Sequence, residues 1–141
     1  MSVRFADVSV GTALPTQVFP LERATLVRYA GASGDFNPIH WDERTAKAVG
    51  LPDIIAHGML TMATAVRVVT DWVGDPGAVV DYKVRFSKPV VIAPDAPTPL
   101  HVSGVVRSVD SSDQTAEIQL TASVPGQSVL TKARVRVRLA P

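Results

Sequence analysis

The stretch Gly58-Met59-Leu60-Thr61-Met62-Ala63-Thr64-Ala65-Val66-Arg67-Val68-Val69-Thr70-Asp71-Trp72-Val73 decides the fold. Met59, Leu60, Met62, Ala63, Ala65, Val66, Val68, Val69 and Trp72 leave it almost no polar face, and a helix of that kind is buried. Gly74-Asp75-Pro76-Gly77 stops it.

Downstream the period changes. Val80, Tyr82, Val84 and Phe86 alternate with Asp81, Lys83 and Arg85, which predicts a half-buried strand. The pattern returns over 100–109, 115–122 and 129–139, separated by 95–99, 110–113 and Pro125-Gly126. Short connections between successive strands predict an antiparallel sheet. Upstream, 5–19 alternates but is broken by Gly11 and Pro15, predicting two short extended pieces around a turn. Helical spacing follows over 21–32, with Gly31 and Gly34 ending the helix. Residues 33–41 read as a loop. Asp42 caps a short helix to Val49, closed by Gly50, and 51–57 is loop again. One long buried helix ahead of a curved antiparallel sheet is an α+β layout in which the sheet wraps the helix. Residues 1–141 are read as a single domain of ordinary size.

Hydrophobic residues make up 46% of the chain and charged residues 19%, a globular balance whose apolar excess hints at surface buried against another subunit. A formal net charge of +1 gives no global basic field, which argues against nucleic acid. The chain has no cysteine, so disulfides and thiolate metal sites are excluded and a reducing cytosol fits. Residues 1–10 lack the apolar core of a secretory leader, and no apolar run is long enough to span a membrane. A cytoplasmic location is expected. Phosphate-binding glycine loops and the serine-hydrolase elbow are missing, so nucleotide and serine-hydrolase chemistry fall away.

The chemistry concentrates in Tyr29-Ala30-Gly31-Ala32-Ser33-Gly34-Asp35-Phe36-Asn37-Pro38-Ile39-His40. Pro38 blocks an ordinary helix between Asp35 and His40, so a shaped loop must bring them together. A carboxylate and an imidazole on one loop form an acid–base pair, with the imidazole titrating near working pH. Asn37 could hold Asp35 or a water. Loops also favour Asp, Asn, Gly and Pro for backbone reasons alone, so on spacing alone a turn with a chance His is the preferred reading.

Ile55-Ala56-His57-Gly58-Met59 is the second element. Gly58 opens the buried helix, where first-turn N–H groups lack partners and carry partial positive charge. Glycine allows close approach, and a thioester carbonyl docked there would be stabilised as it becomes enolate-like. A tight-turn role for Gly58 is the plainer alternative. His57 is read as tying the loop down by a hydrogen bond, with a place in the site as the alternative. The three histidines, His40, His57 and His101, lack metal-ligand spacing, so no metal or other cofactor is expected. Lys132, Arg134, Arg136 and Arg138 share one face of the last strand. The preferred reading is an exposed charged edge that blocks aggregation; contact with an acidic carrier protein or with coenzyme A phosphates is the other. Arg67, alone in its apolar helix, either snorkels at a subunit contact or meets a ligand phosphate.

These residues resemble a known family. The core S-G-D-x-N-P-I-H within 29–40, followed by Ala56-His57-Gly58-Met59, resembles the hydratase motif of MaoC-like hydratases and dehydratases. The segments Trp72-Val73-Gly74-Asp75-Pro76-Gly77 and Val84-Arg85-Phe86 look most like the catalytic B subunit of the mycobacterial-type (3R)-hydroxyacyl-ACP dehydratase of mycolic acid elongation. The resemblance implies a hot-dog fold and a dimer, homomeric or with another hot-dog subunit, whose sheets join edge to edge. It implies a hydro-lyase acting on acyl-ACP or acyl-CoA, with Asp35 and His40 as dyad and the Gly58 amide binding the thioester carbonyl. Where some homodimeric hydratases carry a Ser beside the Asp, this chain has Val66, so the Asp-orienting role passes to Asn37 or elsewhere. A hot-dog thioesterase is the competing activity, opposed by the central helix's sole carboxylate, Asp71, lying near its far end. A subunit that needs a partner chain for activity is the third reading.

Overall fold

The computed structural model describes residues 3–141; Met1 and Ser2, where the expected leader-free N-terminus begins, lie outside them. The long helix runs over Gly58–Val73 (α3), ending at Gly74 in the left-handed conformation with φ 76°. Five strands surround it: β1 (Ala13–Leu21), β2 (Val79–Phe86), β3 (Thr98–Asp110), β4 (Thr115–Val124) and β5 (Gln127–Arg138). They form one antiparallel sheet in the order β1-β3-β4-β5-β2. Two further helices, α1 (Arg23–Ser33) and α2 (Glu43–Ala48), precede α3.

The sheet curls around α3, which packs against β1, β2, β3 and β5. Val68, Val69 and Val73 of the helix join Leu100, Val102, Ile118, Val135 and Val137 of the sheet in one buried cluster. The helix is not buried all round. Thr61, Thr64, Ala65, Val68, Val69 and Val73 face the sheet, while Met59 is 58% exposed and Ala63 and Arg67 also reach solvent. Apolar residues on that outer face are what made the sequence look uniformly buried.

Four other expectations are corrected. Residues 13–21 form one continuous strand through Pro15 and Pro20, because β1 is a sheet edge, where a missing N–H costs no ladder bond. Gly31 lies within α1, and Gly34 alone ends it, with φ 76°. The basic last strand is no edge. β5 lies between β4 and β2, and its cations project from the outer face of an interior strand, Arg134 pairing with Glu117 at 3.2 Å and Arg136 with Asp113 at 3.4 Å. β2 is also not hairpin-connected to β3: residues 87–97 cross over and leave it at the opposite edge.

No helix among the described residues is long and apolar enough to cross a membrane.

Candidate active site

The site is built where the segment between α1 and α3 folds back over the helix N-terminus. Gly34 in the left-handed conformation turns the chain out of α1. Asp35 follows, its Oδ1 accepting from the Asn37 backbone N–H at 3.1 Å. The Asn37 side chain accepts from the Ile39 N–H at 3.3 Å and so caps the 3-10 turn Pro38–His40. Trp41 Nε1 donates to the Phe36 carbonyl at 3.0 Å and closes the loop. Pro38 at the first turn position suits its fixed φ, and the turn delivers His40 five residues on from Asp35.

A short strap holds His40 from the other side. Ala56 N–H donates to Val90 O at 2.8 Å and Ile92 N–H to Ile54 O at 3.0 Å. Ile55 donates its N–H to Ile39 O at 3.2 Å and accepts from His40 Nδ1 at 2.6 Å. A carbonyl only accepts, so Nδ1 carries the proton and Nε2 is free to face Asp35. Asp35 Oδ2 and His40 Nε2 stand 4.0 Å apart. The carboxylate is half-exposed and the imidazole is buried. An oxygen atom beside both, off the line that joins them, would lie within hydrogen-bond distance of each.

His57 completes the cluster. It is buried, and its Nε2 donates to the Asp35 carbonyl at 3.1 Å. Its ring stacks on His40 with centroids 3.8 Å apart and planes inclined by 23°. Burial, and next to it the charge of His40, holds the His57 imidazole below its ordinary value of 6.5, against the pull of its bond to Asp35. With Nε2 protonated, the buried Nδ1 is a lone pair without a partner among the described residues. Asp35, His40 and His57 offer ligand atoms within 4.8 Å of one another. Each ring has one nitrogen held by a carbonyl, which leaves His40 Nε2 facing Asp35 and His57 Nδ1 as the second free ring nitrogen.

Gly58, the first residue of α3, has an N–H with no acceptor inside the helix. It shares a cavity of about 380 Å³ with His40, Ile55, Thr61, Phe86 and Lys88. The structure thus brings together all five residues singled out from sequence: Asp35, Asn37, His40, His57 and Gly58. One was placed differently than expected. Asn37 holds Asp35 through its backbone, while its side chain serves the turn. His57 is both loop tie and ring support. Arg67 stacks over the Phe19 ring at 4.7 Å. Sequence reading gave no role to Tyr29 or Phe86. Tyr29 meets His57 edge-on at 4.8 Å, and its place in the motif was the available signal. Phe86 lies against Gly58, although alternation within β2 identified it only as a strand residue.

Comparison with known proteins agrees with this architecture. Residues 4–124 match the family model described as MaoC like domain. A 78-residue stretch is 41% identical to 3-hydroxyacyl-thioester dehydratase X of Mycobacterium tuberculosis, covering 55% of this chain and 27% of that protein. A solved structure of a MaoC-like dehydratase superposes with TM-score 0.96 at 42% identity, over 99% of this chain and 43% of that one. The C-terminally truncated HadBC (3R-hydroxyacyl-ACP dehydratase) complex of M. tuberculosis shares the fold, with TM-score 0.72 at 20% identity over 91% of this chain and 95% of that one. The chain spans less than half the length of the first two relatives.

Proposed function

The chain belongs to the MaoC-like domain family, and from that premise we propose that it is a hydro-lyase. It acts as a (3R)-hydroxyacyl thioester dehydratase and, in reverse, an (R)-specific enoyl thioester hydratase in fatty acid elongation. The observation that carries this reading is the 4.0 Å gap between Asp35 Oδ2 and His40 Nε2, beside a cavity shared by His40 and Gly58.

In hydration, a water occupies that gap and gives up a proton to the dyad as its oxygen bonds to C3. The electron pair of the C2–C3 double bond moves toward the thioester carbonyl, whose oxygen gains charge on the Gly58 N–H. A proton is then returned to C2. Dehydration is the reverse: C2 loses a proton, the C3 hydroxyl leaves as water, and the double bond forms. Positioned acid–base groups of this kind contribute about 10²–10⁴-fold in rate, and one oxyanion donor about 10²–10³-fold. The Nδ1–H bond to Ile55 keeps the lone pair on Nε2, where this chemistry needs it. Asn37 N–H and the His57 ring are positioning groups for Asp35 and His40 respectively.

The substrate is carried by acyl carrier protein or coenzyme A, in the cytoplasm. The working form is a hot-dog dimer, either of two copies or with a second hot-dog subunit. Half-exposure of Asp35 in the single chain favours a partner that covers it. Thioester hydrolysis finds less support, since Asp71, exposed near the far end of α3, is the helix's only carboxylate.

The test is turnover of crotonyl and 3-hydroxyacyl thioesters of coenzyme A and acyl carrier protein, by the chain alone and with a co-purifying hot-dog chain. Reversible gain and loss of absorbance from the conjugated enoyl thioester is expected. Release of free thiol without hydration would establish the thioesterase instead.

A further inference from the structure

Gly58 has little room beside it. A Cβ built on this residue would stand 3.2 Å from Phe86 Cε1, 3.3 Å from Cζ and 3.4 Å from Cδ1, so the ring lies close beside the glycine on the side where a side chain would project. Phe86 is the last residue of β2 and is 51% exposed, which is unusual for a ring in such close contact on one side. Its position is fixed from behind: Phe86 is in register with Leu130 of β5, and the next residue, Ser87, donates its N–H to Val129 O at 3.1 Å. Phe86 and Val129 both line the cavity that holds His40 and Gly58. The ring is therefore a wall of the slot next to the amide assigned above to the thioester carbonyl.

We infer that Phe86 is a specificity-determining residue that restricts the site to acyl thioesters unbranched at C2. The inference rests on the hydratase reading. A carbonyl oxygen at hydrogen-bond distance from the Gly58 N–H puts its carbon, and that carbon's two neighbours, beside the ring. One neighbour is the thioester sulfur, which bears a methylene in either carrier. The other is C2, the one adjoining position where substrates differ in bulk. A methyl there would compete with the ring for space in which even a Cβ on Gly58 would stand tighter than an ordinary contact. In a packed apolar site one methylene-sized difference is worth about 10–200-fold in discrimination.

The experiment compares kcat/KM for crotonyl-CoA and 2-methylcrotonyl-CoA in the wild-type protein and in Phe86→Leu and Phe86→Val. Both replacements keep an apolar strand residue at a half-exposed position, and melting curves confirm folding. Wild type should prefer the unbranched substrate by at least tenfold, and the ratio of branched to unbranched kcat/KM should rise at least tenfold in both variants. A ratio within twofold of wild type, with wild type turning over crotonyl-CoA, would overturn the inference and leave the dyad reading standing. Failure of wild type to hydrate crotonyl-CoA at all would reject the hydratase reading and the inference together.

Discussion

His57 lies flat on His40, its ring centroid 3.8 Å away, while its own Nε2 reaches back to the Asp35 carbonyl at 3.1 Å. One buried side chain thus touches both members of the dyad without being able to share their proton directly. Removing it should leave the two groups in place but loosely held. For His57→Ala, kcat should fall by roughly tenfold to a hundredfold, the scale of a small misplacement of reacting groups. KM should change less. Steady-state kinetics on an enoyl thioester check this, and unchanged kcat would show that the stack does not position His40.

The same residue sets an acid limit. Burial lowers the His57 pKa in the folded protein below the unfolded value of 6.5. Below that value the unfolded chain therefore takes up this proton more readily than the folded one, so stability is retained above about pH 6.5 and declines as the pH falls through the window beneath it. Melting temperatures measured from pH 7.5 down to 5 should drop on the acid side, and His57→Gln should flatten the slope. A slope equal to wild type would assign the acid sensitivity elsewhere.

Much of this arrangement was readable in the sequence, for identifiable reasons. Gly58–Val73 announced itself by apolar density and by Gly74, and the strands after it by strict alternation, because both depend on local periodicity. Asp35 and His40 stood out through the resemblance of their motif, because spacing alone favours a turn with a chance His. Pairing order was not. β2 sits at the sheet edge because residues 87–97 cross over, and a long-range choice of that kind leaves no trace in a strand's own pattern. The basic face of β5 was misplaced for the same reason. The contacts of Phe86 and Tyr29 with the site likewise join residues remote in sequence, 28 positions apart in each case (86 − 58 and 57 − 29).

Arg23 fastens the overhanging segment to the rest of the fold. Its guanidinium donates to Asp53 Oδ1 at 2.7 Å, to Glu43 Oε2 at 3.3 Å and to Ile92 O at 3.4 Å, so α1, α2, the loop before α3 and the 87–97 crossover meet at one side chain. Arg23→Ala should destabilise the protein by about 2 kcal/mol, between the values for exposed and fully buried pairs. Chemical denaturation measures it. A change below about 0.5 kcal/mol, the level expected of an ordinary surface substitution, would show that the overhang is held by packing alone.

The outer face of the sheet should behave differently. Arg134 and Glu117 pair at 3.2 Å with the arginine largely exposed. Arg134→Ala should cost no more than about 1 kcal/mol, and less at high salt. A loss comparable with that of Arg23→Ala would mean that these cations stabilise the sheet, contrary to a solvated surface role.

The most direct measurement is the rate of crotonyl thioester hydration by Asp35→Asn and His40→Ala. Each should lose at least ~10²-fold in kcat while melting within a few degrees of wild type, since one carboxylate is half-exposed and the other group is held by a single carbonyl. Near-wild-type turnover in either variant would contradict the assignment of the 4.0 Å gap as the place where water is added and removed.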